Sequence, residues 1–408
     1  KPEILFQRLD LEEVMKKVLV IGASILQMPA ILKAKELGYY VGTVDYNPKA
    51  VGIPYADEFF EVSTIDTEAV AQIAKDFKAD GVMTLATDMP MRSVARAAEV
   101  CGIPGISMDT AVKATDKGEM IKAFEAHRIE HPWYFIASNK TIFEKIKSKA
   151  IYPCIMKPTD NAGSRGVVVA HSLEGLENEY SYTVGESRKG GVIIEEYMEG
   201  PEVSVEVMVV DDEPHILQIT DKITTGAPHF VEMGHTQPSR LGKENVSKIS
   251  NLASRAVKAV GIQNGPAHVE IMLTKDGPKM VELGARMGGD CITTHLVPLS
   301  TGIDMVRSTI EIACGQETDI EPKFNKGSAI RYFKTPEGVI KSIYGVDEAR
   351  AIPGVKEITF VKNVGDRIGS IDSSVDRIGF VIAQGESADE AETICAKALG
   401  MITIETEK

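Results

Sequence analysis

Two glutamates, Glu270 and Glu282, flank a short polar turn and carry the strongest chemical signal in this 408-residue chain. If Lys275, Asp276 and Gly277 form a three-residue hairpin loop with Gly277 left-handed, the two glutamates face each other directly. Facing carboxylates destabilise a sheet unless one is protonated or a cation lies between them. Hard oxygen ligands of this kind suit Mg²⁺ that also binds nucleotide phosphates. The pattern predicts a divalent-metal site, and two solvated glutamates on an exposed face are the alternative.

The segment MKPTDNAGSRGV is a candidate anion-binding loop, because it places Lys157 at the end of a predicted strand. Small or flexible residues follow the lysine: Asn161, Ala162, Gly163, Ser164 and Gly166. Such a loop can direct several backbone N–H groups toward an anion while the lysine supplies a point charge. It is not a Walker A loop, since the lysine precedes the glycines and no helix follows at once. A mobile surface hairpin is the alternative.

A third cluster, EEYMEGPEVSVEV, places Glu195 and Glu202 on either side of Tyr197 and Met198. An adenine needs backbone donors and acceptors beside an apolar slot, and a carboxylate can accept both hydroxyls of a ribose. Charged strand ends often produce the same letters, so both interpretations stay open at this point.

The elements that must position these residues follow two rhythms. From Lys16, apolar β-branched runs alternate with amphipathic stretches, which predicts a parallel sheet covered on both faces up to about residue 112. A helix capped by Thr115 or Asp116 is expected to begin near Lys117. Antiparallel strands with one wet face follow, and a smaller α+β unit begins near Lys326.

Composition narrows the function classes. The chain has 45 basic and 59 acidic side chains, a net charge of −14, and no basic stripe with interleaved aromatics. It should therefore repel nucleic acid, apart from small nucleotides. We expect a cytoplasmic protein without a membrane partner, because the sequence has neither an apolar run of about 18 residues nor a signal-peptide core. Five widely spaced cysteines without a CxxC motif indicate reduced thiols, and no histidine spacing supports a zinc site.

A dinucleotide site in the first unit is a competing hypothesis. Gly22 follows the first strand and Asp45 ends the second, as in dinucleotide-binding folds. The second and third glycines of that fingerprint are absent, so a plain doubly wound unit is favoured over an NAD-binding oxidoreductase.

In this order, the clusters resemble the ATP-grasp superfamily, and within it the carboxylate–amine ligases similar to bacilysin-type L-amino acid ligases. The resemblance covers nearly the whole chain. It implies an open parallel, Rossmann-like sheet over 15–112, an ATP-grasp body in two halves over 113–198 and 199–322, and an α+β unit over 323–408. Residues 1–14 are interpreted as a leader or a non-native extension.

The resemblance also implies roles for the nucleotide-binding residues. Lys117 and Lys157 would touch the ATP phosphates, and the loop that contains Asn161, Gly163, Ser164 and Gly166 would fold over them. Glu195 and the backbone of Tyr197 and Met198 would face adenine, and Glu202 would bind the ribose.

Three further implied roles concern the reaction. Glu270 and Glu282 would hold Mg²⁺, with Mn²⁺ as an alternative, and Arg286 would steady an acyl phosphate. Many relatives read Glu-x-Asn-Pro-Arg here, whereas this chain has Gly284 in place of the asparagine. A third protein ligand to the metal is therefore not expected, and the small residue favours the L-amino acid ligases.

The implied reaction joins a carboxylate, expected to be an amino acid's, to an amine. A carboxylate oxygen attacks the γ-phosphoryl group of ATP, and the amine then takes the acyl group from the acyl phosphate. Lys157 and Arg286 would act on the reacting groups. His235 would contact the substrate or the proton that leaves the amine, with a histidine packed in a turn as the alternative.

Two points stay open at this stage. A phosphoribosylamine–glycine ligase would need a second basic cluster beside Arg286, which folding could supply through Arg331 and Lys334. A homodimer is common in folds of this sort, and the sequence does not decide the oligomeric state.

Overall fold

The structure is a computed structural model that describes residues 15–161, 163, 165–227 and 229–407. The segment interpreted as a leader, 1–14, and the loop residue Ser164 lie outside the described residues. In the part that is described, no helix is both long and apolar enough to cross a membrane.

The first unit is an open, four-stranded parallel sheet, as the sequence predicted. Its strands are β1 (Lys17–Ile21), β2 (Tyr40–Asp45), β3 (Glu58–Glu61) and β4 (Gly81–Met83), and its helices are α1 (Met28–Glu36), α2 (Thr67–Phe77) and α3 (Met91–Cys101). A further helix, α4 (Met108–Thr115), runs across the predicted boundary at residue 112. The spatial order is β3-β2-β1-β4. The apolar runs of β1 and β2 are almost wholly buried because helices cover both faces. The half-exposed edge strand β3 was not predicted.

The second unit contains a four-stranded antiparallel sheet in the order β5-β8-β6-β7. Its elements are α5 (Lys117–Ala126), β5 (Tyr134–Ala137), α6 (Lys140–Ile146), β6 (Cys154–Pro158), β7 (Val168–Ala170), α7 (Leu173–Gly185) and β8 (Val192–Glu196). Asp116 caps α5 by accepting hydrogen bonds from the backbone of Gly118 and Glu119 at 2.9 and 3.1 Å. Of the two predicted capping residues, Asp116 is therefore the one used.

An eight-stranded antiparallel sheet forms the centre of the molecule. Its strands are β9 (Glu202–Val210), β10 (Glu213–Thr224), β11 (Glu232–Gln237), β12 (Gly265–Thr274), β13 (Gly277–Gly284), β14 (Gly327–Tyr332), β16 (Val355–Phe360) and β18 (Gly379–Gly385). Their order is β13-β12-β9-β10-β11-β14-β18-β16. The last three strands come from the C-terminal part of the chain, so one sheet joins it to the preceding unit.

The remaining elements flank this sheet. They are α8 (Lys243–Val260), a π turn at Ile292–Leu296, α9 (Val297–Thr301), α10 (Met305–Ala313), β15 (Gly338–Tyr344), α11 (Val346–Arg350), β17 (Arg367–Ile368), α12 (Ala388–Met401) and β19 (Thr403–Glu407). Strands β17, β15 and β19 form a small sheet of their own.

The expectation of a wet sheet face is wrong for the central strand β9. One face of the sheet carries valines of β9 that share a core with the apolar stripe of α8. The opposite face carries Ser204 and Glu206, and both are fully buried. The alternation of polar and apolar residues is real, but the polar face is covered by the rest of the molecule instead of water.

Candidate functional site

The two glutamates predicted to bind a metal do face each other, although the geometry that brings them together differs from the prediction. The turn between β12 and β13 has two residues instead of three. Continued without interruption, that register would place Glu282 opposite Val269, on the other face of the sheet. A β-bulge at Val281 adds one residue to β13, so Glu270 pairs with Glu282. The bulge therefore puts both carboxylates on one face.

Cations surround this pair of carboxylates. Lys117 Nζ lies 2.9 Å from Glu282, and Lys222 and His268 each lie 3.4 Å from Glu270. Burial alone would raise the pKa of Glu270, but Lys222 and His268 hold that pKa well below its usual range. Glu270 is thus ionised, and the two carboxylates offer hard oxygen donors that fit Mg²⁺. Across 15–407, apart from the undescribed positions, no three His, Cys, Asp or Glu side chains converge as a metal site.

Lys222 is a site residue that the sequence reasoning missed. It is buried on β10, 2.5 Å from Glu202, 3.4 Å from Glu270 and 3.7 Å from Glu232. Burial lowers the pKa of this lysine, but the three carboxylates outweigh burial and raise it well above the usual value. Glu202, the expected ribose ligand, is therefore held by a lysine on the same face as Glu270.

His268 is a second site residue that the sequence reasoning missed, and its Nε2 lies 3.4 Å from Glu270. Its Nδ1 bonds Glu206 Oε1 at 2.8 Å, and neither side chain reaches solvent to any extent. Burial lowers the pKa of His268, whereas Glu206 and Glu270 raise it, with a net value of about 9. This histidine therefore carries a positive charge at neutral pH.

The expected phosphate lysines lie on the other side of the same cleft. Lys157 and Glu195 form a buried ion pair of 2.5 Å across β6 and β8. Lys117 Nζ, besides its bond to Glu282, donates to the carbonyl of Asn161 at 3.0 Å. The structure thus brings the predicted lysines, loop and glutamates into one region.

A small cavity lies beside Glu195, the residue that the resemblance predicts to face adenine. Apolar side chains of α5 and β13 form its walls, with Lys117 and Glu195 at the polar end. Its volume is about 10 Å³, which is room for one water molecule. A purine would therefore enter only if the two halves of the cleft separate. Tyr197 and Met198, half-buried, follow β8 directly beside this region.

The loop between β6 and β7 contains two left-handed glycines. Gly163 has φ +68° and open space around it, whereas Gly166 has φ +75° and a tight environment. A β-carbon at Gly166 would lie 2.7 Å from the β-carbon of Glu186 and 2.8 Å from Pro158. The Asn161 side chain also donates to the Glu186 carbonyl at 2.9 Å. The loop is therefore anchored to the end of α7.

Arg286 follows β13 and is held by an aspartate that the sequence reasoning did not select. Asp88, in the loop between β4 and α3, accepts bonds from Nε and Nη2 of Arg286 at 2.9 Å each. Burial lowers the pKa of Arg286, but Asp88 and the two glutamates outweigh burial, so the net pKa lies above its usual value. The first unit thus contributes a charged side chain to the region.

His235 lies in strand β11 and not in a turn. It pairs across the sheet with Lys222, and its Nε2 donates to Asp290 Oδ2 at 3.2 Å. Its buried Nδ1 has no partner among the described residues. Arg377 binds both oxygens of Asp290 at 2.7 Å and stacks on Tyr332, with 3.9 Å between the guanidinium and the ring centre.

Arg331 and Lys334 do not form a second basic cluster beside Arg286. His235 pairs with Ile330, and Arg331 is the next residue in β14. Because neighbouring side chains in a strand point to opposite faces, Arg331 and His235 lie on opposite faces of the sheet. Arg331 donates to the His235 carbonyl at 2.9 Å and to Thr236 Oγ1 at 2.7 Å. Lys334 lies on that same side, at a cavity of about 450 Å³.

The Asp45 side chain has a structural role. Its carboxylate accepts the backbone N–H groups of Ala23 and Asn47 at 2.9 Å each, so it ties the ends of β1 and β2 together. A carboxylate used in this way is poorly placed to bind the ribose of a dinucleotide. The observation argues against the NAD-binding hypothesis.

Comparisons with known proteins identify related domains and a related fold. Residues 150–294 match the ATP-grasp domain, and residues 331–407 match the L-amino acid ligase C-terminal domain 2. The chain is 25% identical over 323 residues to an alanine–anticapsin ligase of Bacillus subtilis, covering 73% of this chain and 67% of that protein. It is 27% identical over 420 residues to a phosphoribosylamine–glycine ligase of Methanobrevibacter smithii, covering 95% and 93%. The crystal structure of an L-amino acid ligase from Bacillus licheniformis superposes with a TM-score of 0.82 at 23% identity, covering 96% and 99%.

Proposed function

Since the chain contains an ATP-grasp domain followed by an L-amino acid ligase C-terminal domain, we propose that it is an ADP-forming carbon–nitrogen ligase. It activates a carboxylate, that of an amino acid, as an acyl phosphate and couples it to an amine. The observation that carries the proposal is the facing pair Glu270 and Glu282, which lie in one cleft with Lys117.

The phosphates of ATP would lie between the two halves of the cleft. Lys117 and Lys157 would exchange their carboxylate partners for phosphate oxygens, and the loop from Asn161 to Gly166 would cover them. Glu195 would then be free to face adenine, and Glu202 would bind the ribose as Lys222 turns toward the phosphates. In these exchanges each lysine keeps a negatively charged partner.

Glu270 and Glu282 would hold Mg²⁺, or Mn²⁺ as an alternative. When bound, the ion neutralises charge on the β- and γ-phosphates. His268 would keep Glu270 oriented, because its charged ring lies against that carboxylate.

The residues around the reacting carboxylate have separate tasks. Arg286 would bind the carboxylate and then the acyl phosphate, since its guanidinium lies beside the glutamate pair. His235 would orient the substrate or accept the proton of the amine through Nδ1, the nitrogen left without a partner among the described residues. A closed cleft would protect the acyl phosphate from water.

An ADP-release assay tests this function. Wild-type protein with MgATP and an equimolar mixture of amino acids should release ADP and form a dipeptide. Glu282→Gln and Lys157→Ala should lower the rate at least about 1,000-fold, since the first removes a proposed metal ligand and the second a positive charge that would face the phosphates. Glu244→Gln, at an exposed ion pair with Lys248 on α8, is the control. Normal turnover of Glu282→Gln would refute the metal assignment.

A phosphoribosylamine–glycine ligase is the second candidate, because such an enzyme matches nearly the whole chain. The position of Arg331 on the far face of the sheet argues against it, since Arg331 does not join Arg286 in a basic cluster. ADP release that depends on phosphoribosylamine with glycine, and not on amino-acid pairs, would favour this second candidate.

Three further parts of the proposal concern the whole chain. We propose functional units over 15–112, 113–322 and 323–408, of which the first supplies Asp88 to the cleft. All five cysteines are free, which is typical of a cytoplasmic protein. Small-molecule substrates are the proposed partners, and a homodimer stays a prediction that sedimentation analysis can test.

A further inference from the structure

Gly284 and Asp88 compete for the same space. Gly284 ends β13 with a backbone conformation that any residue can adopt, so its backbone does not require glycine. A β-carbon there would lie 2.7 Å from Asp88 Oδ1 and 3.1 Å from Arg286 Nε. Side chains do not approach that closely, so a β-carbon at this position would have to displace the Asp88 carboxylate from its present place beside Arg286.

Asp88 leaves a defined part of Arg286 available. A guanidinium has five N–H donors. Asp88 takes one on Nε and one on Nη2, and the Met287 carbonyl takes one on Nη1 at 3.2 Å. One hydrogen on Nη1 and one on Nη2 remain for a ligand. The arginine is thus fixed in plane with its end directed to a single acceptor group.

Asp88 itself is not placed as a metal ligand. Both of its oxygens bind Arg286, and it joins no three-residue metal cluster within the described segments. The loop that bears it is also firmly held. Ala86 adopts a left-handed φ of +58°, the Leu85 carbonyl accepts from the Gln27 side chain at 2.7 Å, and the Asp88 carbonyl accepts from the backbone N–H of Met91, the first residue of α3, at 3.1 Å.

We propose that Asp88 is a positioning residue that orients Arg286 toward the substrate carboxylate and the acyl phosphate, and that Gly284 is small in order to admit it. This inference rests on the proposed ligase function. Under it, the first unit acts in the reaction without touching the substrate, because it sets the direction of the arginine from outside the ATP-grasp body.

The test compares Asp88→Asn, Gly284→Ala and the double variant. Each single change should lower kcat/KM for the carboxylate substrate about 10- to 100-fold, because the arginine loses its fixed direction. The KM for ATP should change less than about twofold. Trapping of the acyl phosphate with hydroxylamine should fall in parallel. The kcat/KM of the double variant should be no lower than that of the less active single variant, since both changes disrupt the same Asp88–Arg286 interaction.

The controls repeat each change at a site without this interaction. Asp109→Asn removes an exposed ion pair with Lys113, and Gly185→Ala adds a methyl group where no atom lies within 4 Å. Wild-type kcat/KM in Asp88→Asn, or multiplied losses in the double variant, would overturn the inference while the ligase function stands. If Gly284→Ala does not fold, the isosteric Asp88→Asn decides alone. A wild-type protein that releases no ADP with amino acids would remove the proposed function and this inference together.

Discussion

Asp290 receives its hydrogen-bond partners from two different parts of the chain. Burial alone would raise the pKa of this carboxyl, but hydrogen bonds from Arg377 and His235 hold the pKa far below its usual range. A depressed pKa means that the ionised carboxylate stabilises the folded protein above the unfolded-state pKa of about 4. That stabilisation is lost as the pH falls toward the lower folded-state pKa.

Asp290→Asn should therefore flatten the acid side of the stability profile. We expect the free energy of unfolding to fall by about 2 kcal/mol at pH 7, because a charged hydrogen-bonded pair is lost. Between about pH 4 and pH 2 the variant should lose less stability than the wild type. Urea unfolding across this range measures both effects, with Asp109→Asn as the exposed control. Parallel profiles for Asp290→Asn and wild type would contradict the argument.

Charged residues divide into those that the sequence could indicate and those that it could not. Glu270, Glu282 and Lys157 stand in local patterns with a chemical meaning, and the structure places all three at one cleft. Lys222 and Asp88 stand in ordinary strand and loop sequence. Their importance comes from partners far along the chain, such as Arg286, which is 198 positions from Asp88. No local pattern encodes such a pairing.

At the scale of elements, the loop between β6 and β7 gives a matched pair of glycines. Both Gly163 and Gly166 are left-handed, but only Gly166 is crowded, by Glu186 and Pro158. Alanine at either position costs about 1–2 kcal/mol for the left-handed backbone. Gly166→Ala adds a steric clash that moves the loop off the end of α7.

Gly166→Ala should therefore raise the KM for ATP at least about tenfold more than Gly163→Ala does. The ADP-release assay at saturating amino acids measures the difference, and thermal unfolding shows whether both variants keep the fold. Equal KM values would show that the anchor at Glu186 does not shape the nucleotide site.

The hairpin of β12 and β13 shows how far element prediction reaches. Alternation and a polar turn predicted two paired strands with Glu270 opposite Glu282, and that pairing is confirmed. The predicted three-residue loop is wrong. A two-residue turn and the bulge at Val281 give the same facing, because each differs from the prediction by one residue in register. Nothing in the letters around Val281 marks a bulge.

At the scale of the whole molecule, two aspartate–arginine pairs hold the segment after β13. Asp88 reaches Arg286 from the first unit, and Arg377 reaches Asp290 from the C-terminal part. The order of parallel and antiparallel regions was predictable from hydrophobic rhythm, and the ATP-grasp architecture is confirmed. The contacts between regions were not predictable, since they depend on how separately folded layers dock.

Because the eight-stranded sheet is continuous, a truncated chain is expected to aggregate. A protein that stops at residue 322 would lack β14, β16 and β18, and β11 would become an open edge. Unpaired edge strands recruit other chains. We expect this truncated protein to aggregate, whereas the full-length protein stays dispersed. Light scattering after expression at equal concentration distinguishes the two, and a monodisperse truncated protein would contradict the expectation.

The same feature limits how such ligases can be recombined. A junction near residue 322 looks attractive for grafting a new C-terminal lobe, yet the incoming lobe would have to donate a strand in register with the one that carries His235. In a chimaera, the orientation of His235 would therefore depend on the C-terminal segment that is grafted on. Exchanges that retain β14 of the original chain preserve the β11–β14 pairing.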